Sequence, residues 1–524
     1  MAVPDSFDDI VVGAGTAGAV VAARLSEDGA RRVALIEAGP HYATRERTPD
    51  DLLNGNAMSL ARHGWGLSAR LTASRRTAFP QGKVTGGSSA VGNTVVIRPT
   101  PADLDEWAAL GNPAWSWEEA LPRLRAIEDD LDFGADPHHG TGGPIPVRRW
   151  RPEELTTVQR LFLDGCLEAG HPHAADHNHP LSTGVGPIPS NRRDARERVS
   201  TAMAYLWPAA GRPNLTIVPD ALADRVLIDG DGVARGVRVL ADGATYDLRA
   251  RRIVLAAGAI GSPAVLLRSG VGPAGRLSEL GIPVRADLPG VGEGLVDQPR
   301  IGVFLTPRPG AADRSASTGQ IVLRTTGPAP AGEAERFNDM YYAMVNHFNL
   351  AHHFPRLREA AGVDGVFGIM AVVRRPHSRG RVTLASADPR AAPRIDLGYL
   401  TDPRDHGLFA EAVRTCWRLA NSAGIGARAE RVVALDERTV DDEELLREYV
   451  ETVVDTAFNP AGTLRMGPAG DPGAVVDQFG AVRGVAGLYA ADASVMPSMV
   501  CANIALTTVL IGERIAEALR GDPS

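Results

Sequence analysis

Hydrophobic and polar positions at the start of the chain predict a strand, a helix and a second strand. Residues 9–12 form a short apolar run that leads directly into glycines. The next segment spaces Ala17, Val20 and Leu25 in a helical pattern, and residues 32–37 form a second apolar run. A strand, a helix and a strand within roughly 30 residues are typical of a βαβ unit, which implies a parallel sheet.

The same alternation continues along the chain. Five further apolar runs predict strands, at residues 215–218, 226–228, 236–240, 252–257 and 488–491. Two segments have helical spacing, at residues 404–420 and 441–456. The last helix is predicted over residues 504–519, and its first half is apolar on nearly every side. A helix of that kind belongs in the interior of the protein.

A glycine motif lies between the first strand and the first helix. It reads Gly13-Ala14-Gly15-Thr16-Ala17-Gly18, the GxGxxG pattern. In this pattern the first glycine permits a tight turn, the second lets the backbone approach a pyrophosphate, and the third lets helix and strand pack closely. Glu37 ends the second strand, at the distance where a carboxylate accepts hydrogen bonds from an adenosine ribose. The motif predicts dinucleotide binding, and its position at the N-terminus favours FAD over NAD.

Composition narrows the class of protein. The chain has 524 residues, 44% of them hydrophobic, which is ample for two domains with buried cores. Acidic residues outnumber basic ones by 63 to 55, giving a net charge of −8. This balance disfavours nucleic acid or an anionic membrane as the main partner.

Cysteine usage and the chain start predict a cytoplasmic protein. The three cysteines, Cys166, Cys416 and Cys501, show no CxxC spacing, so neither a disulfide framework nor a zinc ribbon is indicated. Residues 1–9 lack the basic patch and apolar run of a signal peptide. The longest apolar run, residues 253–267, is short and interrupted by glycine and proline, so we expect no membrane-spanning helix.

Four longer segments resemble the signatures of the glucose–methanol–choline (GMC) oxidoreductase family. The first two are Gly82-Lys83-Val84-Thr85-Gly86-Gly87-Ser88-Ser89-Ala90 and Gly258-Ala259-Ile260-Gly261-Ser262-Pro263, the second continuing to residues 269–272. Two segments near the C-terminus are similar to the family's closing block. They are Asn459-Pro460-Ala461-Gly462-Thr463-Leu464-Arg465-Met466-Gly467 and Ala491-Asp492-Ala493-Ser494-Val495-Met496-Pro497. The segments follow the family's order over the whole chain, and we identify the protein as a member.

The resemblance implies an α/β fold with two domains. A Rossmann-type FAD-binding domain would comprise residues 1–150, 208–300 and 460–524. A mixed α+β substrate domain, with a six-stranded antiparallel sheet, would comprise residues 151–207 and 301–459. Carried over by motif, the FAD-binding residues are Gly13, Gly15, Thr16, Ala17, Gly18, Glu37, Ala38, Trp65, Val84, Gly86, Ser89, Asn93, Thr94, Val95, Ala223, Ala257, Asp492, Ala493, Asn503, Ile504 and Ala505.

Two positions near the first signature depart from the family pattern. Some members carry a histidine there that bonds covalently to the flavin, and this chain has Val91 instead. We therefore expect non-covalent FAD. The asparagine that usually follows the signature stands one residue later, at Asn93. The N-terminus of the last helix, near Asn503, is expected to face the flavin pyrimidine ring and to stabilise its negative charge after reduction.

One of the two expected catalytic residues differs from the family pattern. Family members that oxidise alcohols place a histidine before the Pro-x-Gly-Thr run and a histidine or asparagine about 44 residues later. The chain has Asn459 and Asn503 at these positions. An amide accepts hydrogen bonds but takes no proton near neutral pH, whereas histidine does. Three interpretations stay open. The chain is an engineered His-to-Asn variant, or it is a natural member with another proton acceptor or an easily oxidised substrate. In the third, it catalyses a different flavin reaction without net alcohol oxidation, such as an oxidative cyclisation, a desaturation or a lyase reaction on a natural-product-like substrate, or it has lost redox activity.

The sequence gives few further site residues. Phe458 and Cys501 are candidates to line the substrate pocket, beside Asn459 and Asn503. A dense histidine run, His171, His173, His177 and His179, is compatible with metal binding, but we expect a solvent-facing loop and no metal site. The expected partners are a small-molecule substrate and an electron acceptor, either oxygen or another compound.

Overall fold

The computed structural model describes residues 6–59, 61–330, 332–350, 358–359 and 361–521. The strands in chain order are β1 (Ser6–Val12), β2 (Val33–Ile36), β3 (Ser68–Arg70), β4 (Arg76–Ala78), β5 (Glu128–Asp130), β6 (Ile145–Val147), β7 (Gly184–Pro187), β8 (Leu215–Val218), β9 (Leu222–Ile228), β10 (Ala234–Ala241), β11 (Ala244–Leu255), β12 (Val271–Gly272), β13 (Ala286–Asp287), β14 (Glu293–Leu295), β15 (Pro299–Pro307), β16 (Ile321–Thr325), β17 (Met340–Asn349), β18 (Gly365–Val373), β19 (Gly380–Thr383), β20 (Arg394–Asp396), β21 (Ala429–Val432), β22 (Asp455–Thr456) and β23 (Leu488–Ala490).

The α-helices lie between these strands or follow them. They are α1 (Thr16–Leu25), α2 (Asp50–Leu53), α3 (Ser88–Val91), α4 (Pro101–Ala109), α5 (Trp117–Ile127), α6 (Thr157–Glu168), α7 (Trp207–Ala209), α8 (Gly258–Arg268), α9 (Ala274–Glu279), α10 (Asp405–Ala420), α11 (Ala423–Gly426), α12 (Glu437–Asp441), α13 (Glu443–Val453) and α14 (Ile504–Gly521). The helix predicted over residues 441–456 forms as α12 and α13, and ends early because β22 begins at Asp455.

The first large sheet is the predicted parallel sheet with an antiparallel extension. Its strand order is β8-β2-β1-β11-β10-β9, and β23 also pairs with β11. Strands β8, β2, β1, β11 and β23 run parallel, whereas β11, β10 and β9 are antiparallel neighbours. All four residues of β2 are buried, since a parallel strand with elements on both faces needs a continuous apolar run. The predicted strands of this region are confirmed.

The second large sheet is antiparallel throughout. Six strands pair in the order β21-β15-β18-β17-β16-β7, and the two-residue β22 pairs with the edge of β15. The six-stranded antiparallel sheet expected from the resemblance is confirmed, with β22 as an addition. Helices α6 and α10 pack on the face that carries Tyr342, whose hydroxyl forms a hydrogen bond with Thr415 of α10. Because side chains alternate along a strand, the neighbouring Tyr341 lies on the opposite face.

The last helix, α14, packs along α1 in the interior, as its apolar pattern predicts. At Gly512 an added Cβ would lie 3.1 Å from the Ala17 carbonyl oxygen, so the two helices approach closely. Arg24 of α1 holds Glu513 of α14 through two hydrogen bonds of 2.8 and 2.9 Å. The middle of α14 is therefore held against α1.

Candidate functional site

The three glycines of the turn after β1 serve different purposes. Gly13 has φ +97°, and a Cβ there would lie 2.6 Å from the Ala256 carbonyl oxygen. At Gly18 a Cβ would lie 1.8 Å from the Gly13 carbonyl oxygen. At Gly15 the nearest atoms would be 3.9 Å away. Gly13 and Gly18 are thus required by the packing of the protein, whereas Gly15 leaves open space in which a phosphate could approach the backbone.

The first signature lies directly against this turn. The Gly86 N–H donates to the Ala14 carbonyl at 2.7 Å. A Cβ at Gly87, which has φ +51°, would lie 2.7 Å from the Cα of Gly15. Two glycine-rich segments, whose contacting residues are 72 positions apart in the sequence, therefore form one concave surface of backbone.

Glu37 is buried at the end of β2. Its carboxylate accepts the N–H groups of Ala14 and Gly39, each at 2.9 Å, and Ala38 lies between Glu37 and Gly39. Burial raises the pKa of Glu37 above its usual range. A carboxylate offers about four lone pairs, so two remain for the hydroxyls of a ribose.

Two residues predicted to contact FAD, Ala223 and Ala257, lie in the first large sheet or directly after one of its strands. Ala223 lies in β9, where it pairs with Val239, and its carbonyl accepts a hydrogen bond from Arg268 at 3.2 Å. Ala257 caps α8, and its N–H donates to the Ser262 hydroxyl at 3.0 Å. Both alanines are placed by their main chain rather than by their side chain.

Asp492 joins the closing block to the start of α8. Its carboxylate accepts the Gly258 N–H at 2.8 Å, the Ser262 hydroxyl at 2.6 Å and the Ser494 N–H at 2.7 Å. It caps the short helical turn that starts at Ala493. Burial raises the pKa of Asp492, although these donors favour the ionised form.

The position of the flavin-bonding histidine of some family members is filled by an aliphatic side chain. Val91 is 2% exposed and packs with Leu52, Val84 and Ala90 in a small apolar cluster. The cluster contains no nucleophile that could form a covalent bond to a cofactor.

The segment after the first signature has an unusual backbone. The Ser89 hydroxyl donates to the Gly86 carbonyl at 2.6 Å. Asn93 is exposed, and Thr94 has φ +61°, a conformation held by a hydrogen bond of 2.7 Å from Arg192 to its hydroxyl. The shifted asparagine therefore precedes a strained turn, after which Val95 is half-buried.

A small cavity lies between the glycine turn, the first signature and the last helix. It reaches the start of α1, the first signature and the start of α14, where Ile504 is followed by Ala505. Its lining residues are Thr16, Ser89, Val96, Ile145, Asn191, Val199, Thr201, Ala505, Leu506 and Val509. The N-termini of α1 and α14 both border this cavity, and helix N-termini favour the negative charge of a phosphate.

The two asparagines of the predicted catalytic pair are joined by a chain of hydrogen bonds. Asn459 Nδ2 donates to Gln298 Oε1 at 2.8 Å. Arg374 donates to the same Gln298 oxygen at 2.7 Å and to Asn503 Oδ1 at 3.0 Å. Gln298 Nε2 donates to the Ala502 carbonyl at 2.9 Å. Asn459 and Asn503 thus belong to one network, although the sequence separates them by 44 residues.

Arg374 sets the direction of this network. A guanidinium only donates hydrogen bonds, so the atoms of Gln298 and Asn503 that face it must be oxygens. The Gln298 oxygen can then receive only the amide N–H of Asn459. Asn459 Oδ1 and Asn503 Nδ2 have no partner among the described residues, and both side chains are half-buried. The pair presents one acceptor and one donor.

Asp297 fixes the backbone beside the pair. Its carboxylate accepts the Asn459 N–H at 2.6 Å, the Tyr399 hydroxyl at 2.6 Å and the Thr456 hydroxyl. Burial raises the pKa of Asp297. The carboxylate lies against the main chain of residue 459, where it positions Asn459.

The remaining predicted pocket residues differ in their surroundings. Phe458 is half-buried with φ +63°, and the guanidinium of Arg300 lies 4.9 Å from its ring centre. Cys501 is buried, with its N–H donating to Asp103 at 3.0 Å. Trp65 is 40% exposed beneath Lys83.

The histidine run is not a simple surface loop. His171, His173 and His179 are partly or fully exposed, but Asp176, His177 and Asn178 are buried. Burial lowers the pKa of His177 to about 3, and its Nε2 lies 3.2 Å from the Val322 carbonyl. The expectation of a solvent-facing loop was wrong for this part, because Asp176 enters a buried charge network.

We define the charge network as Arg98, Glu128, Asp130, His139, Arg149 and Asp176. His139 Nδ1 lies 2.9 Å from Glu128 and 3.0 Å from Asp130, and its Nε2 lies 2.9 Å from Asp176. Burial alone would lower the pKa of His139, but the three carboxylates raise it to about 10. The three carboxylates are thus balanced by three cations, which are Arg98, Arg149 and the protonated His139.

The sequence did not indicate Gln298, Arg374, Asp297 or Arg324 as site residues. Arg324 donates to the carbonyls of His177 and Cys501 from strand β16. These residues stand in segments without a recognised motif, and only the pairing of the strands brings them to the catalytic pair.

The fold and this site define a nucleotide-dependent oxidoreductase. Family models described as GMC oxidoreductase match residues 7–300 and residues 376–512. The chain belongs to the GMC oxidoreductase family and is an FAD-dependent oxidoreductase.

Known relatives are similar over nearly the whole chain. A 5-(hydroxymethyl)furfural oxidase from Methylovorus sp. is 36% identical, covering 98% of each chain. A choline oxidase from Arthrobacter globiformis is 34% identical, covering 98% of this chain and 94% of the relative. The crystal structure of pyridoxine 4-oxidase from Mesorbium loti superposes with a TM-score of 0.89 at 29% identity, covering 99% of this chain and 100% of that one.

Across the described ranges, none of the helices combines the length and the apolar character that crossing a membrane requires.

Proposed function

We propose that this enzyme oxidises the CH–OH group of a small-molecule alcohol. The relatives named for 5-(hydroxymethyl)furfural, choline and pyridoxine support an alcohol donor. The observation that carries the proposal is the network of Asn459, Gln298, Arg374 and Asn503, which leaves one acceptor and one donor open. That is the set of partners that a hydroxyl group needs.

The open backbone at Gly15 and the buried carboxylate of Glu37 fit FAD, which when bound would supply a flavin N5 that accepts hydride from the substrate carbon. Gly13, Gly15 and Glu37 would hold the ADP half, and Asp492 would hold the ribityl and pyrophosphate region. We propose that residues 1–150, 208–300 and 460–524 form the FAD-binding domain and that residues 151–207 and 301–459 form the substrate domain.

The substrate hydroxyl would bind between the two asparagines. It donates its proton in a hydrogen bond to Asn459 Oδ1 and accepts one from Asn503 Nδ2. This arrangement aligns the C–H bond for transfer without a change in the protein, because Arg374 has already oriented both amides.

Asn459 holds the hydroxyl proton but does not remove it. Loss of a general base typically costs a factor of about 10² to 10⁴ in rate. We propose that the proton passes to water and that the enzyme is slower than a member with histidine at this position. Oxygen is the proposed electron acceptor, since the three relatives described above are named oxidases.

The test is anaerobic reduction of the flavin by a panel of small alcohols, followed by its absorbance. Bleaching by at least one alcohol, with the aldehyde or ketone as product, supports the proposal. A substrate that turns over while the flavin stays oxidised would instead show a lyase or cyclase, and alcohol oxidation would be rejected.

A further inference from the structure

One face of the second large sheet carries a row of basic and aromatic side chains. Arg324 of β16 is paired with Tyr341 of β17, and Tyr341 is paired with Val372 of β18. Val372 is paired in turn with Arg300 of β15. Directly paired residues share a face of a sheet, and Arg374, two residues after Val372, shares it too. This face is opposite to the one covered by α6 and α10.

Arg324 is a buried cation without a carboxylate partner. Its side chain is 2% exposed and donates to the carbonyl oxygens of His177 at 2.8 Å and Cys501 at 3.3 Å. No carboxylate of the described residues lies within 4.0 Å of it. Burial lowers the pKa of Arg324, although the charges of the more distant Asp103 and Asp176 act in the opposite direction.

Arg374 is a second buried cation without a carboxylate partner among the described residues. It is also 2% exposed, and its partners are the amide oxygens of Gln298 and Asn503 and the ring of Tyr341, whose centre is 4.1 Å away. Burial lowers the pKa of Arg374 to about 10, and the charge of Arg324 contributes in the same direction. The two guanidiniums therefore act on each other through space.

Neighbouring arginines on the same sheet are paired. Arg300 lies 2.7 Å from Asp455, and Arg375 lies 2.5 Å from Glu106. Buried charges are normally paired because an unpaired ion loses its hydration without compensation. On this face of the sheet, Arg324 and Arg374 are therefore the two described arginines without a carboxylate partner. Elsewhere, the buried Arg192 and Arg198 also lack one and are held by neutral oxygens.

Both arginines touch the segment that carries the catalytic pair. Arg324 contacts Cys501 and Arg374 contacts Asn503, at the start of α14. Between them, the Tyr341 hydroxyl has no hydrogen-bond partner among the described residues. An anion bound by these two arginines would therefore lie close to the proposed position of the substrate hydroxyl.

We propose that the alcohol substrate carries a carboxylate, bound by Arg324 and the Tyr341 hydroxyl on this face of the sheet. The inference rests on the proposed alcohol oxidation. Arginine suits the task, since its planar donor groups match both oxygens of a carboxylate. Arg374 adds positive charge while it continues to orient Asn459 and Asn503.

The experiment uses the purified FAD-loaded enzyme and pairs of alcohols that differ only in charge. The acids run from glycolate to 6-hydroxyhexanoate and include 4-(hydroxymethyl)benzoate, each compared with its methyl ester. We expect kcat/KM for at least one acid to exceed that of its ester by about 100-fold or more. Equal values, or a preference for the ester in every pair, would overturn the inference.

Substitutions test which residues cause the preference for the acid over its ester. Arg324→Met should reduce the acid-to-ester ratio to near one, mainly through KM, and Arg324→Lys should retain part of it. Tyr341→Phe removes one hydroxyl and should lower the ratio about tenfold, which keeps the test available if Arg324→Met does not fold. Arg238→Met is the matched control, because Arg238 is exposed and paired with Asp247 on the other large sheet. A ratio that survives both Arg324→Met and Tyr341→Phe contradicts the assignment.

A ligand without a hydroxyl separates this inference from the proposed function. Binding of 4-methylbenzoate is followed through the flavin absorbance. If it binds and Arg324→Met weakens binding at least tenfold while no alcohol is oxidised, the anion site stands and alcohol oxidation fails. If acids and esters are oxidised equally, alcohol oxidation stands and the anion site fails. If Arg324→Met shifts the flavin reduction potential but leaves the ratio unchanged, the arginine serves the cofactor and the inference is overturned.

Discussion

At the scale of single residues, the two asparagines of the proposed catalytic pair are alike in chemistry but opposite in what they present. Asn459 offers an oxygen and Asn503 offers an N–H, because Arg374 only donates and the order is transmitted through Gln298. The sequence predicted the two asparagines from their motifs. It could not predict their orientation, since Gln298 and Arg374 reach them from other segments of the chain.

Asn459→His should restore a proton acceptor. The imidazole Nδ1 takes the position of the amide nitrogen, donates to Gln298 Oε1, and leaves the Nε2 lone pair for the substrate hydroxyl. We expect the anaerobic rate of flavin reduction by alcohols to rise at least about 100-fold. The rate should also fall at low pH as the imidazole becomes protonated.

Asn459→Ala is the control for this substitution, and it should be slower than the parent because it loses the acceptor oxygen. An unchanged or reduced rate in Asn459→His would mean that asparagine belongs to another chemistry, and the lyase or cyclase alternative would replace alcohol oxidation.

At the scale of elements, the glycines of the turn before α1 differ in purpose. Gly15 leaves space for a ligand, whereas Gly18 is required by packing. Gly15→Ala should leave the stability of the apoprotein nearly unchanged, because the added Cβ meets no protein atom closer than 3.9 Å. It should lower the FAD content of the purified protein, since the methyl group enters the space of the pyrophosphate. Absorbance at the flavin band relative to protein measures the content, and thermal unfolding of the apoprotein measures stability.

Two further substitutions make this comparison decisive. Gly18→Ala should destabilise the apoprotein, because its Cβ would lie 1.8 Å from the Gly13 carbonyl oxygen. Gly29→Ala, where no atom lies within 4 Å, should change neither property. Full FAD content in Gly15→Ala would refute the proposed path of the pyrophosphate.

Helix α3 ends in the small apolar cluster of Leu52, Val84, Ala90 and Val91, which predicts a dissociable cofactor. Precipitation of the holoenzyme with acid should release FAD into the supernatant, and the pellet should be colourless. A yellow pellet that keeps its colour after washing would show a covalent bond and contradict this prediction.

Helices and strands with a clear local sequence pattern were predictable from the sequence. Segments whose burial depends on residues far away in the sequence were not. The βαβ unit, the antiparallel sheet and the interior position of α14 follow from apolar periodicity and the family motifs. The segment of Asp176, His177 and Asn178 reads as polar and was expected at the surface. It is buried because Asp176 finds Arg149 and His139, whose side chains come from elsewhere in the sequence.

At the scale of the whole molecule, the charge network links segments between Arg98 and Asp176 into one buried cluster. Three carboxylates raise the pKa of His139 to about 10, above its unfolded value of about 6.5. The stabilisation by His139 is therefore complete below about pH 6.5 and is lost as the pH rises towards 10. Burial opposes ionisation of Asp176, but His139 and Arg149 hold its pKa below the usual range, so its contribution is lost below about pH 4.

The thermal unfolding temperature of the protein should therefore decline as the pH rises above about 6.5 and as it falls below about 4. His139→Gln should destabilise the protein by about 3–5 kcal/mol near neutral pH, because it leaves buried carboxylates without their cation. The variant should also lose the part of the alkaline decline that belongs to His139. His173→Gln, at an exposed position, is the matched control. A parent whose stability does not change between about pH 6.5 and 10 would contradict a protonated His139.

The hydrogen-bond chain from Arg374 to Asn459 also has a genetic consequence. Asparagine and histidine codons differ only in their first base, so a single nucleotide change exchanges the two residues at position 459. Gln298 Oε1 already faces this position with a lone pair and would accept an imidazole N–H as readily as an amide N–H. A population carrying this gene is therefore one point mutation away from an enzyme with a general base, and no compensating substitution has to precede it.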